Sequence, residues 1–309
     1  MLRRVLLSAS HSEAARRFVS SAPLTRGIVD RFVAGERIDD AFRVVESLSA
    51  DGLLVSLEPL GEDTLDPGQA EATTKEYVGL LDRIGESGLA RGAEISVKPT
   101  AVGLNVVAGG RRLALDNALR ICEAARAAGT TITLDAEDYV TVEATMEMLA
   151  ELRREFPNTG AVVQSYLRRA ESYCRELSGP GSRVRLCKGA YDAPESVAHP
   201  TKREVDRSYV RCLKILMAGQ GYPMVATHDP RLIAIAGALA ALHGRGKDSF
   251  EYQMLYGVRD AEQRRLAAAG AQVRVYVPYG TRWYPYLMRR LAERPANLAF
   301  FMRSLISRT

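Results

Sequence analysis

The feature that most constrains this chain is a repeated alternation of short apolar runs with longer amphipathic segments. Runs rich in Val, Ile, Leu and Thr occur at 53–57, 94–97, 131–134, 161–164, 183–187, 223–226, 249–254 and 272–277. Between them lie segments with helical apolar spacing, such as 112–128, 140–156, 203–218, 231–243 and 261–270, punctuated by Gly or Pro at their ends. A helix after each strand returns the chain to the same end of the sheet, so the strands pair in parallel. Eight such units suit either a doubly wound open sheet or a closed barrel, and the count favours the barrel. No G-x-G-x-x-G follows any of the runs, which weighs against a Rossmann dinucleotide site. The expectation is an α/β chain: a (β/α)8 TIM-type barrel over 52–309, preceded by a helical arm over 1–51.

In such a barrel the active site is assembled at the C-terminal ends of the strands. Polar residues do follow each run: Glu62 and Asp63 after the first, Lys98 after the second, Asp135 and Glu137 after the third, Gln164 after the fourth. Lys188 and Tyr191 follow the fifth, Thr227, His228 and Asp229 the sixth, 253–256 the seventh and Tyr276 the eighth. Taken singly, each is ordinary loop chemistry, and Asp63, Asp135 and Asp229 are all plausible helix N-caps. Taken together they converge on one face. Lys98, Arg185, Lys188, Arg289 and Arg290 supply more positive charge than a single carboxylate needs, which points to two anions, a substrate carboxylate and a cofactor pyrophosphate. Glu62, Asp135, Glu251 and Glu293 are the carboxylates available to hold those cations. For Lys98 a structural ion pair is the competing reading. His228 has no nucleophile elbow beside it and is expected to touch phosphate or ribose.

The last run leads through Tyr279-Gly280 into Trp283-Tyr-Pro-Tyr286-Leu-Met-Arg289-Arg290-Leu-Ala-Glu293. If Pro285 opens a helix, where its missing N–H costs nothing, Tyr286, Arg289, Arg290 and Glu293 share one face. Adjacent guanidiniums repel unless an anion lies between them, and their forks match a carboxylate bidentately. A solvated face with an Arg–Glu pair is the alternative.

Composition limits the partners. Formal charge is +5, with Lys and Arg spread along 309 residues and no basic stripe or base-stacking motif, so no nucleic acid is expected. Four cysteines lie far apart without C-x-x-C spacing, and none of the four histidines pairs with another at i+4, so a reducing compartment and no metal site are expected. The first 21 residues are rich in Arg and Ser, as transit peptides are, but Glu13 interrupts the pattern and helical residues continue to Leu48. An amphipathic helix is the favoured reading and a mitochondrial address the alternative. No run reaches the roughly 18 uncharged apolar residues of a membrane span.

Tyr276-Val-Pro-Tyr-Gly, Tyr286-x-x-Arg289-Arg290-x-x-Glu293-Arg-Pro-Ala-Asn-Leu298, Val97-Lys98-Pro, Leu134-Asp135-Ala-Glu, Val163-Gln164-Ser-Tyr, Arg185-Leu-Cys-Lys188-Gly-Ala-Tyr191 and Ala226-Thr-His228 together resemble the proline dehydrogenase family. The resemblance runs in order from the second strand to the eighth and is weakest over 1–51. It implies a distorted (β/α)8 barrel that holds FAD without a covalent bond, oxidises L-proline to Δ1-pyrroline-5-carboxylate and passes electrons to a membrane quinone. By that resemblance Lys98, Arg289 and Arg290 grip the substrate carboxylate, Asp135 steadies them, and Tyr191, Leu255, Tyr276 and Tyr286 surround the ring. Asp135, Tyr191 and Arg185 are the expected catalytic group. Gln164, Arg185, Lys188, Gly189, Ala190, Thr227 and His228 would hold FAD, with Ala136 and Glu251 as further contacts and Arg185 near flavin N5. Glu62 with Arg289 would form a lid.

The same resemblance implies a monofunctional enzyme, since 309 residues leave no room for the extra domains of bifunctional relatives. Its product would feed a separate pyrroline-5-carboxylate dehydrogenase. The expected location is cytoplasmic, with contact at the inner face of a membrane. Two other readings stay open: a different flavin barrel resembling methylenetetrahydrofolate reductase, which would need a nicotinamide, and a non-catalytic flavin or amino-acid sensor. Hydride transfer from the carbon beside the ring nitrogen chiefly needs positioning.

Overall fold

A computed structural model describes residues 23–293. The expected alternation is present. Strands β1 (Leu54–Pro59), β2 (Ala93–Val97), β3 (Ile132–Leu134), β4 (Ala161–Gln164), β5 (Arg183–Cys187), β6 (Tyr222–Ala226), β7 (Glu251–Leu255) and β8 (Val273–Tyr279) form one parallel sheet in the order β3-β2-β1-β8-β7-β6-β5-β4. Leu54 pairs with Arg274 and Pro59 with Tyr279, so the first and last strands lie side by side along their full length. The remaining gap, between β3 and β4, is closed by Thr133 bridging to Gly160. There the Leu134 amide donates to the Gly160 carbonyl at 2.9 Å and the Gly160 amide to the Ile132 carbonyl at 2.8 Å. The sheet therefore curls into the TIM-type barrel that the sequence predicts.

The helices are α1 (Pro23–Phe32), α2 (Ile38–Ala50), α3 (Pro67–Glu86), α4 (Gly110–Ala127), α5 (Val142–Glu155), α6 (Ala170–Glu176), α7 (Lys202–Ala218), α8 (Pro230–Leu242), α9 (Asp260–Ala268) and α10 (Tyr284–Glu293). Several begin where capping chemistry requires. Asp66 accepts from the Gln69 amide at the start of α3, where Pro67 needs no partner for a missing N–H. Thr201 and Glu204 make a capping box on α7, and Asp229 caps α8. Of the three aspartates expected as caps, only Asp229 does so: Asp63 sits in the β1–α3 loop at φ 55°, and Asp135 faces into the barrel.

Two helices depart from the regular plan. α2 packs against β1 and β8, the place on the outer ring that a helix following the last strand would ordinarily take. The helix that does follow β8, α10, instead packs with α1 through Tyr284, Tyr286, Leu287 and Met288 against Val29, Phe32, Val33 and Leu60. The described part of the arm thus seals the barrel wall and supports α10; residues 1–22 and 294–309, including the 294–298 part of the terminal motif, lie outside the described residues. Among the described residues no helix is long and apolar enough to cross a membrane.

The aliphatic core lies between strands and helices. Val55, Leu57, Ile95, Val97, Leu134, Leu186, Val225, Val275 and Val277 are each no more than 1% exposed. Alternation sends the intervening residues inward. The barrel interior is consequently polar: Ser56, Glu58, Glu94, Ser96, Lys98, Thr133, Asp135, Arg185, Glu251, Gln253 and Arg274 are all buried. Burying this many charges demands that they pair. They do so in tiers, and the uppermost tier opens into a cavity.

Candidate active site

The lowest tier is an ion-pair network. Arg274 donates to both oxygens of Glu251, at 2.8 and 3.1 Å, and Arg183 to Glu94 at 2.6 Å. Burial opposes the Glu94 charge, but Arg274, Arg183 and Arg185 outweigh it and bring its pKa down to about 2. Glu251 is fully buried here at the start of β7 and does not line the cavity above. Its side chain faces inward and enters near the bottom of the barrel, paired with Arg274.

Arg185 forms the middle tier. Its guanidinium donates to Gln253 Oε1 at 2.6 Å, Ser96 Oγ at 3.0 Å, Asp135 Oδ1 at 2.5 Å, and Ser56 Oγ and Glu94 Oε1 at 3.3 Å. Five acceptors surround a planar fork, so this side chain is held against movement. The Tyr276 hydroxyl donates to Asp135 Oδ2 at 2.7 Å, and the Tyr276 ring lies 5.2 Å from the guanidinium carbon of Arg185. Burial, with Asp135 adding to it, raises the Tyr276 pKa well above its ordinary value and keeps the phenol protonated. Each oxygen of Asp135 is thereby engaged, one by a guanidinium and the other by a phenol.

Above this floor is a cavity of about 810 Å³ at the C-terminal ends of the strands. Lys98 from β2, Asp135 and Ala136 after β3, Gln164 from β4, Arg185 from β5 and Lys188, Gly189, Ala190 and Tyr191 just beyond it all line it. So do Thr227 and His228 after β6, Leu255 from β7, Tyr276 from β8, and Tyr286, Arg289 and Arg290 from α10. Of the residues given a site role by the family resemblance, only Glu62 and Glu251 are not in its lining; Asp63 and Glu137, read as strand-tip residues, also lie outside it. Glu62 lies at its edge, gripping Arg289 bidentately at 2.5 and 2.9 Å. Arg289 stacks over the Tyr191 ring at 5.4 Å and Arg290 over Tyr286 at 5.2 Å. Glu293 ends α10, and its side chain lies outside the described ones.

Lys98 and the paired arginines therefore meet across one cavity. Lys98 is buried and ion-paired with Glu58. Burial draws its pKa down to about 8, Asp135 pulling the other way and Arg289 adding to the fall. Glu58 was not anticipated as a site residue, and Glu137 was read only as one of the strand-tip residues. Glu58 shares the inward parity of Ser56, a signal the sequence carried. Glu137 is buried behind the β2 and β3 tips, where it accepts from Thr100 Oγ1 at 2.6 Å and from the Thr100 amide at 3.0 Å. Burial lifts its pKa to about 7, against those hydrogen bonds and Lys98.

The other side of the cavity has a different character. Gly189 adopts φ +95°, and a Cβ there would lie 2.2 Å from the Tyr166 ring. Only glycine fits this turn. Lys188 is paired with Asp206 at 2.6 Å and Asp229 at 3.3 Å. His228 Nε2 accepts from the Leu255 amide at 2.9 Å, tying the β6 and β7 tips together. Gln164 donates to the Glu137 carbonyl at 3.1 Å, while its buried Oε1 has no hydrogen-bond partner among the described residues.

A family model for proline dehydrogenase matches residues 41–303. The chain belongs to the proline dehydrogenase family. Proline dehydrogenase 1 of Bacillus subtilis (strain 168) is 37% identical over 308 residues, covering 100% of both chains. Proline dehydrogenase of Deinococcus radiodurans is 39% identical over 281 residues, 90% of each. Among solved structures, proline utilization A from Bdellovibrio bacteriovorus, inactivated by N-propargylglycine, superposes with a TM-score of 0.79 at 25% identity over 86% of this chain. The present chain corresponds to 32% of that longer protein. As a proline dehydrogenase family member the chain is an oxidoreductase on a TIM barrel, and the two halves of its cavity suit two different occupants.

Proposed function

We propose that this chain oxidises L-proline to Δ1-pyrroline-5-carboxylate, using FAD bound in the same cavity and a membrane quinone as final acceptor. The observation that carries the reading is the meeting of Lys98, Arg289 and Arg290 around one apolar-walled space, roofed by α10. Three cations with tyrosines between them suit a small zwitterion whose carboxylate needs more than one donor. The Lys98 charge is held by Glu58 until substrate arrives, and Arg289 is held by Glu62. Tyr191, Leu255, Tyr276 and Tyr286 supply the ring's surroundings. N-propargylglycine, named with the Bdellovibrio relative, is likewise a carboxylate bearing a secondary amine, which suits the same clamp.

The opposite wall fits the flavin. An unsatisfied Gln164 carbonyl oxygen offers an acceptor, the Gly189 turn brings backbone close to a planar ligand, and Lys188 presents charge beside the N-termini of α7 and α8. Ala136, Gln164, Arg185, Lys188, Gly189, Ala190, Thr227 and His228 would hold it; Glu251 is left out of this set. Bound there, FAD supplies a two-electron acceptor for the hydride leaving the ring carbon beside nitrogen. Asp135 fixes Arg185 and Tyr276 so that neither wanders into the substrate space. No protein base in the cavity is assigned the amine proton, which leaves to water. Positioning by the carboxylate clamp supplies most of the acceleration.

In this reading 52–309 is the catalytic unit and the arm its closing wall and support. Electron delivery to quinone places the enzyme at a membrane surface, and the imine product passes to a separate dehydrogenase. A visible absorption spectrum of the purified yellow protein tests the core of the proposal. L-Proline added without any nicotinamide should bleach the flavin bands. Bleaching that requires NADH or NADPH would favour a methylenetetrahydrofolate reductase-like reaction, and proline binding without bleaching a sensor.

A further inference from the structure

We infer that Glu137 is a positioning residue for the Glu62 lid, acting through Thr100. The inference rests on the proposed lid role of Glu62 and extends it to a residue that does not line the cavity.

Glu62 sits in the loop between β1 and α3, and its grip on Arg289 requires that loop to be fixed immediately beside it. The fixing point is Thr100. The Asp63 amide donates to Thr100 Oγ1 at 2.9 Å, and the Thr64 amide to the Thr100 carbonyl at 3.1 Å. Thr100 is only 1% exposed, so a hydroxyl that accepts from Asp63 must send its own proton to a protein acceptor. That acceptor is Glu137 Oε1, at 2.6 Å, while Oε2 takes the Thr100 amide at 3.0 Å. The two oxygens of the Glu137 side chain accept from both donors of one residue and fix the hydroxyl rotor, leaving its lone pairs directed at the loop.

The loop needs this restraint. Asp63 is one of two non-glycine residues with positive φ among the described residues, at 55°, a conformation that is less populated than the right-handed region even for aspartate and that the bonds to Thr100 help to hold. Asn105 adds a hydrogen bond to the Asp63 side chain at 3.1 Å. The line of contacts runs from the β3 tip through the β2 tip to the lid and ends at the substrate-clamping Arg289.

Amide hydrogen exchange on the ligand-free protein tests the inference without reference to turnover. Thr100→Val keeps the branched shape and the backbone groups but removes the hydroxyl. Exchange at Asp63 and Thr64 should rise about tenfold, the effect of losing one buried hydrogen bond, with the strand amides unchanged. Thr100→Ser should restore protection. Glu137→Gln, with one acceptor oxygen for two donors, should also raise exchange at these two amides. If Glu137→Gln leaves them at the wild-type rate, Glu137 is not the positioning group. Steady-state kinetics give the second arm: Thr100→Val should raise KM for proline about tenfold with little change in kcat, and this increment should vanish in a Glu62→Gln background. An equal increment in both backgrounds would overturn the inference. A wild-type KM in Glu62→Gln alone would instead remove the lid role, leaving exchange to decide whether Glu137 orders the loop.

Discussion

Arg290 and Tyr276 show how narrowly single side chains are used. Arg290 presents a flat fork from α10, stacked on Tyr286, and a lysine carries the charge without the fork. Arg290→Lys is expected to raise KM for proline by about tenfold to a hundredfold, in keeping with about 1.5–3 kcal/mol for charge-assisted hydrogen bonds. An unchanged KM would take Arg290 out of the carboxylate site. Tyr276 is locked by its hydrogen bond to Asp135, so its ring forms a rigid wall of the cavity proposed to hold proline. That wall should turn away a hydroxyl on C4 of proline. Tyr276→Ser should narrow the ratio of kcat/KM for proline over 4-hydroxyproline, chiefly by weakening proline, and an unchanged ratio would place C4 elsewhere. Tyr276 was legible because it lies near the end of an apolar run, where a barrel gathers its chemistry, and Arg290 because the spacing after Pro285 puts it on one helical face with Tyr286 and Arg289. The depth of Glu251 was not legible for a physical reason: height in the barrel depends on where a strand begins, and this residue opens β7. Glu137 was visible as a tip residue, yet only its bonds to Thr100 reveal that it serves a neighbouring loop.

Among elements, strands and most helices were readable from periodicity, since the outward face of β1 to β8 is aliphatic against the helices and turns bound each run. What could not be read was the exchange of places between α2 and α10. Both are amphipathic, and nothing in their patterns names the groove each fills. The exchange depends on contacts that join distant parts of the chain, such as Gly257 beside the Arg31 carbonyl. Gly257 has φ +69°, and a Cβ there would come within 1.7 Å of that oxygen. Gly257→Ala should therefore loosen α1, and with it the support under α10. Its combined strain should cost about 1–3 kcal/mol, read as a fall in Tm of several degrees together with a raised KM for proline. A variant with wild-type Tm and KM would show that α10 does not depend on this contact.

Considered whole, the molecule inverts the usual distribution of a barrel, with aliphatic residues outside the strands and charge within. The arrangement is stable because each buried charge meets opposite charge or several donors; removing one partner from such a network costs about 3–5 kcal/mol. It also makes stability depend on pH. Glu137 has a folded pKa of about 7, above its unfolded value of 4.5. A carboxyl raised in this way stabilises the fold fully below the unfolded value, and that contribution is lost as pH rises towards 7. Urea denaturation of wild type and Glu137→Gln should give a stability difference that moves against wild type between pH 5 and 8. A constant difference would mean that Glu137 ionises in the folded chain as readily as in the unfolded one.

Because α2 completes the wall, α10 is spared any duty in holding the barrel shut. Evolution, or a protein engineer, can then vary the cavity-facing side chains of this helix as a replaceable ceiling, provided Tyr284, Leu287 and Met288 keep their packing against the arm.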